Sequence, residues 1–321
     1  MRLGVWLAGT LLCTACGSAS SPAAPASAGP VSTITTTGHV TATNGGQPLP
    51  GLSVDLAGNG ATTTDAAGGF SYRTIGDSSA RLTLSGPGIL TRSLVLAIGA
   101  TRDVPVDAAA LTGAFDPAFY REFVRNGFEA PDDMQALRRW ARTPSIYLKT
   151  VDEAGDVIEA PTLDLIEATV KDAVPQWTSG KLGSPTVERG TGTREGQSGW
   201  ITIKFPVAAP TDTCGRAQIA ADGGWIEFSY HLPLSASIVC RAGGSVVARH
   251  VVRHEMGHAL GFWHTSNPND VMWGGTWTNS ELTPSARELT AAAVAYSRPP
   301  GNVDPDSDPA GAVTLTIKTA R

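Results

Sequence analysis

Between residues 31 and 110, apolar and polar positions alternate in short runs that turn residues keep interrupting. Leu52-Ser53-Val54-Asp55-Leu56 alternates at period two, as a half-buried strand does. Thr35 to Ala42, Gly68 to Tyr72, Arg81 to Leu84 and Leu94 to Ile98 read as further strands. Asn44-Gly45-Gly46 and Pro48 to Gly51 supply turns between them. This pattern predicts a small β-sandwich. The rhythm then changes. Asp116-Pro117 predicts a capped helix through Phe119, Phe123 and Val124. A second helix is predicted from Pro131 to Ala141, with Met134, Leu137 and Trp140 on one face. Arg121, Arg125, Arg138, Arg139 and Arg142 make this stretch basic, and a solvated helix face is the expectation ahead of a phosphate or partner site. From residue 145 the pattern is mixed. Ser145 to Val151 and Trp200 to Phe205 read as strands. Gln218 to Ala220 and Trp225 to Tyr230 flank Asp222-Gly223-Gly224 as a hairpin. Leu163, Ile166, Val170 and Val174 form a helical stripe. Two more helices are expected, one starting near Ser245 and one from Pro284 to about Tyr296, with a start signal at Thr283.

Composition narrows the function classes. The chain has 321 residues with 41% hydrophobic and 17% charged, which is globular rather than disordered. A net charge of −5 and a pI near 5.7 give no basic footprint for nucleic acid. Beyond the N-terminus no apolar window reaches the roughly 18 residues of a spanning helix. Leu3 to Leu12 is a short apolar run after Arg2, as in an export signal. Cys13-Thr14-Ala15-Cys16 resembles a bacterial lipoprotein processing site, which makes Cys16 the expected lipidated residue; the alternative is an ordinary secretory signal cut slightly later. The protein is thus expected to be exported and held at the cell envelope by a lipid, with the membrane touched only through that anchor. Residues 17–30 read as a flexible Ser/Ala/Pro linker. Two cysteines then remain, Cys214 and Cys240, and an exported chain most simply pairs them. The expected organisation is a signal over 1–16, the linker over 17–30, a β-sandwich over 31–110, a helical connector over 111–143, a larger domain over 144–298 and a tail over 299–321.

The chemistry is concentrated in His254-Glu255-Met256-Gly257-His258-Ala259-Leu260-Gly261-Phe262-Trp263-His264. On a helix, His254 and His258 share one face a turn apart, so both imidazoles can reach one ion. Glu255 follows the first His, within reach of a water on that ion. A continued helix would carry His264 about 9 Å beyond His258 along the axis, too far to share a zinc whose bonds are about 2.1 Å. The chain must turn, and Gly261 is where it can. Three His and one water describe a catalytic zinc site with Glu255 as general base. Five fixed residues at this spacing arise by chance roughly once in a hundred thousand chains of this composition. His250, four before His254, is read as an outer or surface His, and His39 and His231 as surface residues. Asp304, Asp306 and Asp308 imitate the start of a calcium loop. Pro305, Pro309 and the missing closing Glu favour a solvated acidic tail, which leaves structural calcium unsupported.

HExxHxxGxxH with Asp270-Val271-Met272-Trp273 downstream resembles the metzincin metalloproteases, with a matrixin-like spacing from His264 to Met272. The order Gly38-x-Val40, Gly46-x-Pro48-Leu49-Pro50-Gly51 and Thr63-Thr64-Asp65-x-x-Gly68-Gly69-Phe70 resembles the carboxypeptidase regulatory-like module. The resemblances imply an α+β fold. They pair a metzincin-type catalytic domain (twisted mostly parallel sheet, zinc helix, Met-turn, C-terminal helix) with an N-terminal all-β sandwich module. They also imply that Met272 is a floor beneath the zinc, that Trp225 to Tyr230 is the edge strand beside a cleft, and that Cys214–Cys240 braces the hairpin against the zinc helix. The implied activity is a zinc endopeptidase acting on a protein or peptide substrate. The alternatives are a surface adhesin with a zinc-stabilised scaffold and an amidase of a cell-wall amide. This chain has Thr265 after the third His and no Tyr in the residues directly after Met272, which read Trp273-Gly274-Gly275.

Overall fold

The computed structural model describes residues 33–75, 78–98, 103–207, 213–230, 240, 247–277 and 281–311. The export signal, Cys16, the linker and His231 lie outside the described residues. All the described residues belong to one compact unit, 33–321.

Two sheets come first. β1 (Thr33–Ala42), β2 (Ser53–Leu56), β3 (Gly60–Thr63), β4 (Gly69–Ile75), β5 (Ser78–Ser85), β6 (Arg92–Ile98) and β7 (Asp103–Ala108) form the orders β4-β1-β7 and β3-β2-β5-β6. Alternation puts Val40, Val54, Leu56, Phe70, Leu82, Leu84, Leu94 and Val106 into one apolar cluster between them. β3 and β7 were missed from the pattern, because Gly60-Ala61-Thr62-Thr63 has no large apolar residue and Asp103 to Ala108 carries a proline.

The second part starts with α1 (Pro117–Arg125), whose N-cap Asp116 accepts from the Ala118 amide at 2.9 Å as expected. β8 (Ser145–Lys149), α2 (Ala160–Trp177), β9 (Val187–Gly190), β10 (Trp200–Lys204), β11 (Gly215–Ala217) and β12 (Gly224–Phe228) follow, then α3 (Arg249–Ala259) and α4 (Ala286–Tyr296). The five strands run in the order β11-β12-β10-β8-β9, with only β11 antiparallel to its neighbour. Ile166, Val170 and Val174 of α2 join Ile146, Ile201, Ile203 and Val252 in one core.

Several expectations are corrected. The fold class implied by the resemblance is not what the chain as a whole adopts. Among the described residues the protein is mostly β, with twelve strands in three sheets against four helices. The helix holding His254 and His258 is only eleven residues, about three turns. No helix forms over Pro131 to Ala141. There the Gln135 amide donates to the Arg125 carbonyl and the Leu137 amide to the Asn302 carbonyl, so long-range partners replace the local helical ones. β12 is not the edge of its sheet among the described residues; β11 flanks it, with Ala217 opposite Ile226.

In the basic connector Arg138 and Arg142 are exposed as expected but Arg125 is buried, and in the acidic run Asp306 and Asp308 are buried rather than solvated. Arg125, Arg298, Asn302 and Asp306 are fully buried and Asp308 is 3% exposed. Arg125 bonds Asn302 through both terminal nitrogens. Arg298 donates to both Asp306 oxygens at 2.8 Å and to Asp107 at 2.6 Å, while Arg92 lies 3.1 Å from Asp107 and 3.4 Å from Asp308. Asn302 donates to Asp306 and Asp308. The Ser93 amide donates to the Asp306 carbonyl, and the Asp308 amide to the Ser93 carbonyl, which ties residues 302–308 to β6. Burial works against the Arg298 charge, but Asp306 and Asp107 outweigh it and push its pKa up. Each of the three aspartates of this run thus faces an arginine: Asp304 faces Arg121, Asp306 faces Arg298 and Asp308 faces Arg92.

Candidate metal centre

α3 carries His250, His254, Glu255 and His258, all buried. The helix stops at Ala259, and Gly261 just beyond its cap, with φ +108°, turns the chain back as expected. A Cβ at Gly261 would lie 1.8 Å from the Arg138 carbonyl oxygen, so the connector's close approach also demands glycine there. The connector secures the turn in two more ways. Trp140 Nε1 donates to the Ala259 carbonyl at 2.7 Å, and the Trp263 amide donates to the Phe123 carbonyl at 2.8 Å. Phe123 stacks on Phe262 with ring centres 4.3 Å apart.

The turn brings His264 to the helical pair. His258 Nε2 lies 3.1 Å from His254 Nε2 and 3.1 Å from His264 Nε2. The other ring nitrogens are engaged: His254 Nδ1 meets the Val271 carbonyl at 2.7 Å, and His258 Nδ1 meets the Phe262 carbonyl at 2.8 Å. His264 Nδ1 meets Glu129 Oε1 at 2.6 Å. Carbonyls and carboxylates only accept, so each Nδ1 carries the proton. Three Nε2 lone pairs therefore face one point, an arrangement that repels itself unless a cation sits there. Burial, then the neighbouring His258 and His264, pull the His254 pKa down; burial and His264 pull that of His258 down to about 3. Neutral imidazoles are the form that binds metal.

Glu255 is 2% exposed, and its Oε2 meets no hydrogen-bond donor. Burial raises its pKa well above the ordinary carboxyl range. Gly215 of β11 sits against it, where a Cβ would come within 2.9 Å of Oε1. A buried carboxylate oxygen without a partner is costly, and such atoms mark functional sites. The donor set of three converging imidazoles beside an unpartnered carboxylate thus fits a zinc ion.

The segment after His264 is held by a network that the sequence reading missed. Met272 is fully buried, and a Cβ at Gly257 would lie 2.4 Å from its sulfur, so it packs directly against α3. The Thr265 amide donates to the Met272 carbonyl at 2.8 Å, and Thr265 Oγ1 donates to Asp270 at 2.9 Å. Asp270 pairs with Arg287. Glu288 accepts from the Met272 amide at 2.9 Å and from the Ser285 amide at 2.7 Å, where Ser285 and Glu288 form a capping box. His250 is buried edge-on to Trp277, 5.0 Å between ring centres, and Trp277 also meets His254 at 4.8 Å. His39 lies far off in sequence on β1, exposed and 2.7 Å from Asp103. Cys214 and Cys240 are disulfide-bonded with Cα atoms 5.3 Å apart, and the Ala248 amide at the start of α3 donates to the Cys240 carbonyl. The bridge therefore links β11 to the entry of α3.

Burial, then Asp270, pushes the Glu288 pKa up to about 7. The folded state therefore holds this proton more tightly than the unfolded chain, where the carboxyl titrates near 4.5. The stabilisation is complete below pH 4.5 and is lost as pH rises through 7. About 3 kcal/mol of stability should disappear between pH 4 and pH 8 from this group alone. Denaturant titrations of the parent and Glu288→Gln across this range should show a shallower decline in the variant; parallel curves refute the assignment.

Comparison with known proteins adds little. Among solved structures, the chain is similar to a type II cohesin–X-dockerin complex from Acetivibrio cellulolyticus, at 17% identity over 24% of this chain and 58% of that one, with a TM-score of 0.21. A DUF3823 family protein from Parabacteroides merdae aligns at 20% identity over 25% of this chain and 47% of its own, also with a TM-score of 0.21. A DUF3823 family protein from Bacteroides uniformis aligns at 18% identity over 25% and 44%, with a TM-score of 0.20. The chain thus spans about half the length of the structures it matches. No family model and no curated protein matches the chain.

Proposed function

We propose that this protein is a zinc-dependent endopeptidase, in keeping with the metzincin-like motif HExxHxxGxxH and the Met272 that follows it. One observation carries the reading: three unprotonated Nε2 atoms converge on one helix and the turn after it, next to a buried carboxylate oxygen that lacks a partner. His254, His258 and His264 would hold the ion, whose chemistry when bound is to acidify a water and polarise a carbonyl.

The chain's own residues supply the rest. Glu255 is not among the converging nitrogens' group, which leaves it free to act as a base. Its raised proton affinity suits it to accept a proton from water as the oxygen–carbon bond forms. It then delivers that proton to the leaving nitrogen as the carbon–nitrogen bond breaks. Burial around Glu255 and His254 excludes bulk water from this transfer. Among the described residues β11 is the edge of its sheet and lies beside Glu255, where an extended peptide would add as a further strand. The disulfide favours an oxidising compartment, so export with lipidation at Cys16 belongs to the same proposal.

The test is incubation of the full mature chain with an unbiased peptide library, with and without a zinc chelator, alongside measurement of bound zinc. One equivalent of zinc and chelator-sensitive cleavage are expected. Bound zinc with no peptide cleaved, and release from a cell-wall amide instead, would transfer the site to amidase chemistry. A chain that holds no zinc would overturn the reading.

A further inference from the structure

The three imidazoles are not held alike. His254 and His258 give their Nδ1 protons to main-chain carbonyls near them in sequence, Val271 and Phe262. His264 gives its proton to a side chain 135 residues earlier, Glu129 in the connector. His264 is also the most open of the three, with 27% of its side chain exposed, and it lies beyond the helix, so no helical periodicity sets its ring. Backbone bonds from Thr265 and Gly274 hold the loop but not the imidazole.

Building on the zinc-peptidase reading, we propose that Glu129 is a positioning residue for the third metal ligand. Its carboxylate fixes the proton on His264 Nδ1, which leaves Nε2 as the donor atom facing His258. Its negative charge strengthens that donor, as carboxylates behind metal-bound histidines do. The neighbouring residue reinforces the placement: the Phe128 ring lies 6.4 Å from that of Trp273 and against Gly274, locking residues 128–129 beside the His264 turn. Glu122 provides an internal comparison. Its carboxylate accepts from Ser266 N and Oγ at 2.9 Å, so it braces the same loop without touching the imidazole.

The experiment is a zinc competition titration of the full chain against a chromogenic chelator, with Glu129→Ala, Glu129→Gln and Glu122→Ala beside the parent. Melting of each metal-free protein and the visible spectrum of each cobalt-loaded protein are recorded in parallel. Glu129→Ala should weaken zinc binding by about 10- to 100-fold and shift the cobalt bands, while metal-free melting stays at the parent value. Glu129→Gln should lose less, because its amide oxygen still accepts the Nδ1 proton. Glu122→Ala should bind zinc as the parent does. Parent-like affinity in Glu129→Ala, or an equal loss in Glu122→Ala, overturns the assignment. A parent that binds zinc but cleaves no peptide defeats the peptidase reading and leaves these affinities decisive; a parent that binds no zinc removes both.

Discussion

Glu255→Ala should bind zinc like the parent and cleave peptides at least about 100-fold more slowly, the lower end of what a positioned general base contributes. The reasoning has two parts. The nitrogens that converge belong to His254, His258 and His264 alone, so removing Glu255 takes away no ligand. The carboxylate is buried with an unpartnered Oε2, so in the folded protein it performs no structural task that a smaller residue would lose. Its burial costs free energy instead, since desolvation alone raises its pKa. The variant should therefore melt no lower than the parent when both are metal-free, the behaviour of a residue kept for function at the expense of stability. Steady-state cleavage, zinc content and thermal melting together decide it. Turnover at the parent rate would remove Glu255 as base, and a large fall in melting would make it a structural residue.

Arg298→Met should cost about 3–5 kcal/mol of folding stability, the penalty for stranding a buried charge by removing its partner. Arg298 is fully buried and holds Asp306, also fully buried, and Asp107, which lies on β7 of the first part of the fold. Methionine fills the volume but leaves Asp306 with Asn302 and a distant Arg92. The loss should appear in chemical denaturation at neutral pH, and it should shrink at low pH as the stranded carboxylates become protonated. Combining Arg298→Met with Asp306→Asn should recover part of it, because the remaining amide needs no counter-charge. A single-variant cost under 1 kcal/mol would mean that the cluster is solvated and that residues 299–311 are a tail after all.

The candidate site was readable because its determinants are short-range. His254 and His258 are one helical turn apart, and Gly261 supplies the φ of +108° at which the chain turns just beyond the helix. Asp116 before Pro117, the stripe Leu163, Ile166, Val170 and Val174, and the alternation of Leu52 to Leu56 each follow from side-chain direction over a few residues. The start signal of the last helix at Thr283 lies two residues before the cap, which Ser285 makes. Cys214 and Cys240, the two cysteines beyond the N-terminal segment, pair as expected from their count.

Other features followed no local rule. Met134, Leu137 and Trp140 have helical spacing, but the backbone there bonds to Arg125 and Asn302 and forms no helix. The family resemblance pointed to an α+β class, whereas the described residues form three sheets against four helices, because the motif specifies one three-turn helix and its turn and not the elements around it. Arg125 and the Asp304–Asp308 run look like solvated charge when read separately. In the fold Asp306 and Asp308 are buried against Arg298 and Arg92, and Arg125 alone of the five connector arginines joins them, through Asn302.

By itself, then, the sequence determined the chemistry of the centre: which three imidazoles can meet, which carboxylate stands next to them, and where the helix must stop. Only the tertiary structure decided what surrounds them, including Glu129 behind His264, Glu288 beneath the Met272 amide and the Arg138 carbonyl against Gly261. The physical reason is range. A residue's helical and strand preferences are set by neighbours within about a turn, whereas a hydrogen bond across 135 residues leaves no periodicity in the chain that makes it.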